Sequence, residues 1–170
     1  MLRLRKTTSL TIVASCVILS GCLSGFRHPL GPADEGFIEP DLLGRWECAS
    51  TEDPSPGHIT ILDFDGKQYY LQFAELEKDE PSHFRAYATR VEGVPFLNVR
   101  AIGPKPDDEW AFLEYALVDA DHLSFRYVDP QPFEDVIDDG PSVKVRLGDH
   151  LQDPEVLHDY LSCTRDEAGK

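Results

Sequence analysis

Positive charge is scarce in this 170-residue chain: Lys and Arg number 16 against 31 Asp and Glu, for a formal charge of −15. Three of the cations, Arg3, Arg5 and Lys6, lie in residues 1–21, where no acid occurs. Residues 22–170 therefore keep 13 cations against 31 acids, a net −18. Contacts from Lys and Arg to phosphates supply most of a nucleic-acid affinity, so DNA and RNA are not expected as partners. Anionic head groups are repelled too, although ordinary salt screens that repulsion beyond roughly 8 to 10 Å. Also missing is a comfortable membrane span, which needs about 20 predominantly apolar residues. The apolar run from Leu10 to Leu19 ends at Gly21, and proline-rich sequence soon follows. The chain carries no phosphate-cradling glycine loop, nucleophile elbow or dinucleotide fingerprint, so no catalytic residue and no cofactor is expected. Its six histidines (His28, His58, His83, His122, His150, His158) lack H-E-x-x-H or similar spacing, and no metal site is expected. No internal repeat is evident.

What is present reads from the N-terminus as an export signal. Cationic Arg3, Arg5 and Lys6 precede the apolar run, which ends in small Ser20 and Gly21. Leu19, Ser20, Gly21 and Cys22 spell L-S-G-C directly after it, and in this the sequence resembles bacterial lipoprotein precursors. The resemblance covers about the first 23 residues. It implies cleavage before Cys22, thioether lipidation of that cysteine, usually acylation of the new N-terminus, and so a membrane held through covalent lipid. Two or more chains, at about 0.8 kcal/mol per buried CH₂, anchor a protein durably. In enteric Gram-negative members of that family an Asp after the cysteine retains the protein at the inner membrane. Leu23 stands there, so the expected location is the cell envelope, with the periplasmic face of the outer membrane favoured.

Three segments follow: a signal peptide over 1–21, a lipidated cysteine and flexible tether over 22–41, and one β-rich domain over 42–170. The tether reading rests on Gly25, Pro29, Gly31, Pro32, Gly36 and Pro40 and on the lack of any period. As a coil its nearly twenty residues would reach roughly 20 to 25 Å. Docking of Phe26, Phe37 or Ile38 on the domain is the alternative. With about 41% apolar and 28% charged residues the chain has an ordinary globular composition, and the 149 residues that follow the leader suit a single core.

Short segments rich in Val, Ile, Tyr, Phe and Trp recur between turn signals, which predicts an antiparallel all-β meander of about eight strands. They fall near Gly44 to Cys48, His58 to Phe64, Gln68 to Ala74, Phe84 to Val91, Phe96 to Ile102, Ala111 to Val118, Leu123 to Val128 and Val143 to Leu147. Alternation at Tyr69, Leu71 and Phe73, and at Val143, Val145 and Leu147, has the period of two that an extended chain requires. Asp65-Gly66 and Glu92-Gly93 are hairpin signals. Asp153, Pro154 and Glu155 read as the start of a short C-terminal helix carrying Val156, Leu157, Tyr160 and Leu161.

Eight meandering strands with Gly44-Arg45-Trp46 on the first resemble lipocalins and other calycin-like barrels and their G-x-W motif. The resemblance implies an up-and-down barrel, closed, flattened or partly open, with an arginine near the end of the last strand packed across the tryptophan. Arg146 sits in that place, with Arg126 as substitute. It also implies a small apolar ligand that Tyr70, Tyr87, Trp110, Phe112 and Phe133 would line, although such aromatics more often fill a core.

With Cys16 leaving in the leader and Cys22 lipidated, Cys48 and Cys163 remain in an oxidising compartment, and a disulfide between them is expected to tie the first strand to the terminal helix. Asp63 and Asp65 could share a face as an acid/base pair, but Asp65 beside Gly66 fits a turn better. Acidic stretches at Glu75 to Glu80, Asp107 to Glu109 and Glu134 to Asp139 read as solvated loops rather than calcium sites. The expected function is that of a non-enzymatic accessory or binding module in the envelope, with a protein or small apolar ligand as partner. An envelope hydrolase or transferase, and a structural subunit of an envelope complex, are the alternatives.

Overall fold

The computed structural model describes residues 25–50, 57–75, 79–103, 109–134 and 139–166. The leader, the L-S-G-C motif and Cys22 lie outside them. Eight strands follow one another: β1 (Gly44–Ser50), β2 (Gly57–Asp63), β3 (Tyr69–Glu75), β4 (Ser82–Val91), β5 (Val94–Ala101), β6 (Ala111–Leu117), β7 (His122–Val128) and β8 (Leu157–Arg165). Each pairs antiparallel with its neighbours in sequence, and β8 pairs with β1, so the sheet closes into a lipocalin-like up-and-down barrel without a free edge. Among the described residues one α-helix, α1 (Gly140–Asp149), lies between β7 and β8.

Alternation sets the core. Trp46 and Cys48, Tyr69 and Leu71, Ala86 and Ala88, Leu97 and Val99, Leu113 and Tyr115, Leu123 and Phe125, and Leu161 and Cys163 form one buried cluster inside the barrel. The β4–β5 hairpin turns through Glu92 (φ 47°) and Gly93 (φ 86°), the paired left-handed conformation that a two-residue hairpin favours. Nothing crowds the position a Cβ would take at Gly93, so it is backbone conformation that calls for glycine. At the β2–β3 turn Asp63 accepts from the Gly66 amide at 2.7 Å and Asp65 from the Gln68 amide at 2.8 Å. Both carboxylates are thus turn residues, as Asp65-Gly66 indicated, and not an acid/base pair.

The helix and the last strand exchange the places expected of them. Val143 to Leu147 is not a strand but the middle of α1, where Val143 and Leu147, four apart, are buried and Val145 is 70% exposed. Burial at both i and i+4 with i+2 in water is the helical period, and three apolar residues two apart cannot distinguish it from a strand. The deciding signal lies upstream: Asp139 Oδ1 accepts from the Ser142 amide at 2.7 Å and Pro141 fills the first turn. That amide holds the Asp139 carboxyl below the usual carboxylate range. Conversely, Asp153 to Glu155 caps no helix. The Val156 and Leu157 amides both donate to Asp153 O, closing a turn, and the chain then runs extended through β8. A bulge between Phe125 and Arg126 shifts the β7–β8 register and blurs the alternation of β8.

Residues 25–41, expected as a flexible tether, are instead packed on the barrel from Gly25 onward. Phe26 and Leu30 are 5% and 1% exposed and join Val91, Phe96, Phe112, Val128, Phe133, Val143 and Leu147 in a second cluster. This cluster lies outside the barrel, between the sheet, α1 and the N-terminal strap. Phe37, Ile38 and Leu43 pack against the inner core. Apolar burial of this extent outweighs the coil entropy that the glycines and prolines of the segment signal.

Candidate functional site

A lipocalin-like barrel invites a search of its interior first, and that interior is filled. Trp46 and Tyr69 are 0% exposed, Tyr115 2% and Phe125 4%. One end is plugged by the strap: Leu42 is fully buried there, Arg90 stacks over the Phe37 ring at 5.0 Å, and Arg90 Nη2 lies 3.0 Å from Glu39 Oε1. The Glu39 amide donates to the Tyr69 hydroxyl at 2.7 Å. Burial pushes the Tyr69 phenol up to about 12, and the charge of Glu39 adds to it. Burial likewise raises Tyr115, with the nearby Glu39 carboxylate again adding. The best-formed hollows among the described residues are open depressions beside α1, one lined by Pro141, Val145 and Arg146 and the other by Phe133, Arg146 and His150. Neither enters the barrel.

The tryptophan of the G-x-W triplet has its arginine, but that residue is neither Arg146 nor Arg126. The guanidinium of Arg165 lies 4.1 Å from the Trp46 ring centroid and donates to Ala120 O, Leu43 O and Asp41 O at 2.8, 3.0 and 2.7 Å. Arg146 is exposed on α1, and Arg126 pairs with Glu114. Arg165 could have been found from the cysteines. In the β1–β8 ladder Cys48 faces Cys163, and two steps along an antiparallel pair put Trp46 opposite Arg165. The disulfide is formed, with Cα atoms 4.0 Å apart, and it ties β1 to a strand rather than to a helix.

Outside the barrel, the strap is clasped by one side chain that sequence reasoning passed over. Asn98 is fully buried; its Oδ1 accepts from the Leu30 amide at 2.8 Å, and its Nδ2 donates to Tyr87 O at 3.2 Å and Thr89 Oγ1 at 2.9 Å. The Tyr87 hydroxyl donates to Gly31 O at 2.6 Å. Phe26 stacks on Phe112 with ring centroids 4.3 Å apart and pairs with Trp110 through two backbone hydrogen bonds. Gly140, opening α1, approaches Pro29 O so closely that any Cβ there would overlap it. Of the aromatics considered as pocket lining, Tyr87, Trp110, Phe112 and Phe133 therefore hold the strap and helix against the outer wall. Tyr70 is hydrogen-bonded to His83 at 2.6 Å.

Asn98→Ala is expected to leave the Leu30 amide without its partner, which costs roughly 1 to 3 kcal/mol for a buried donor. Amide hydrogen exchange should speed up at Leu30 and Phe26 while the strand amides around Trp46 keep their protection. Uniform acceleration across the barrel would show that strap and barrel open as one unit.

The remaining candidates stay apart. His150 lies by Asp153 at 3.2 Å, and His158 stacks on Tyr127 with Asp129 at 3.7 Å, so each histidine has its own acidic neighbour. Among the described residues no group of three metal-ligating side chains converges. Most of the three acidic stretches lies outside the described residues; Glu109 accepts from the Gly25 amide, and Asp139 caps α1.

No protein-family model matches this chain. Neither the curated proteins nor the solved structures yield a significant match.

Proposed function

We propose that the protein is a lipid-anchored, non-enzymatic accessory module of the cell envelope that meets its partners through the outside of its barrel. The packed interior carries this reading: with Trp46, Tyr69, Tyr115 and Phe125 occupying the space a calyx would offer, the outer surface is what remains for recognition. The motif Leu19 to Cys22 supports the anchor. On the outer wall of β2, β3 and β4, Leu62 and Phe64 are about half exposed, with the Arg85 guanidinium 4.3 Å above the Phe64 ring. Arginine and aromatic side chains together are the composition of interface hot spots.

Native mass spectrometry of the protein released from membranes tests both halves. The expected species is the chain from Cys22 carrying covalent acyl groups and no small molecule. A photoreactive residue in place of Phe64 is expected to cross-link a protein in the envelope. A stoichiometric apolar molecule that survives release would overturn the filled barrel, and an unmodified Cys22 would overturn the anchor.

A further inference from the structure

We infer that the anchor holds the barrel against the bilayer by one fixed edge, formed by Trp110, Arg27, Arg100 and Ile102, rather than on a long leash. This rests on reading Cys22 as the lipid-bearing residue. Between Cys22 and Gly25 stand only Leu23 and Ser24. Three Cα-to-Cα steps reach at most about 11 Å. From Gly25 the chain is pinned: its amide donates to Glu109 Oε2 at 3.0 Å, and Phe26 pairs with Trp110 at 2.8 and 2.7 Å. The start of the strap, beside the first residue of β6, must therefore lie within about that distance of the head groups.

The chemistry of this edge suits the position. Trp110 is half-buried, with the Arg100 guanidinium 5.6 Å from its ring, and tryptophan favours the boundary between head groups and water. Arg27 is exposed next to the Phe26–Trp110 bridge, and Ile102 is 48% exposed after β5. Arg27 and Arg100 thus both stand beside the start of the strap. The Glu109 carboxylate accepts from the Gly25 amide. The hairpin ends near Gly66, Gly93 and Val118 lie at the opposite end of the barrel, a strand length or roughly 25 Å away.

The test uses the full lipidated protein in phosphatidylethanolamine and phosphatidylglycerol vesicles that contain a lipid with a nitroxide head group. A fluorophore is attached at Ile102→Cys or, separately, at Val118→Cys. Both sites are exposed, and should either variant fold poorly, Arg27→Cys and Ala120→Cys repeat the comparison. Quenching is expected to be several-fold stronger at Ile102 than at Val118. Equal quenching in protein that floats with the vesicles would overturn the fixed edge and leave the anchor standing. Protein that does not float would overturn the anchor and the edge with it.

Discussion

Replacing Cys48 and Cys163 together by alanine is expected to lower the unfolding free energy of the protein by about 5 kcal/mol. The bridged residues are 115 positions apart, and the loop-closure model gives that magnitude for so long a loop. The native state loses little else, since the two residues face each other in the β1–β8 ladder and the surrounding strand hydrogen bonds remain. Most of the loss therefore arises in the unfolded chain, which gains freedom. Urea titration should show a lower midpoint together with a steeper dependence on denaturant, because an uncrosslinked chain exposes more surface. Thiol reductant should bring the wild-type protein to the same curve and leave the alanine variant unmoved. A native stability of 5 to 15 kcal/mol is usual for such a domain, so the reduced barrel would be marginal.

Trp46→Ala should cost about 3 to 5 kcal/mol, the range for truncating a large aromatic side chain in a core. Trp46 is fully buried, and its indole N–H donates to Leu42 O at 2.9 Å, so the substitution opens a cavity and also loosens the point where strap meets β1. Arg165→Ala should follow at about 2 kcal/mol, since it strips one guanidinium from three carbonyl oxygens at the same end. Arg146→Ala, on the exposed side of α1, should stay within about 0.5 kcal/mol. Thermal or urea unfolding of the three variants ranks them. An Arg146 effect equal to that of Arg165 would contradict the pairing of Arg165 with Trp46.

Seven of the eight strands were legible because their alternation, their aromatic and β-branched content and their Gly turns all point the same way. The region after β7 was not, for a physical reason. Val143, Val145 and Leu147 satisfy the spacing of a strand and, through their first and last members, that of a helix. The choice is made by Asp139 and Pro141, which supply the cap. At β8 the bulge opposite Phe125 and Arg126 breaks the alternation that would have betrayed a strand. The strap was hidden differently. Its glycines and prolines mark a segment with no regular structure, but irregular is not the same as loose, and burial of Phe26 and Leu30 depends on Phe112 and Asn98, far away in sequence. The pairing of Cys48 with Cys163 was legible, yet its register, which places Arg165 over Trp46, required the last segment to be a strand.

Because β1 finds its partner only in β8, the ladder that closes the barrel is the last that a growing chain can make. At a synthesis rate of about 5 to 20 residues per second, the sulfur of Cys163 comes into existence on the order of ten seconds after that of Cys48. Until then the partner that the ladder will give Cys48 does not exist, and any other disulfide Cys48 forms first must be exchanged before the barrel can close.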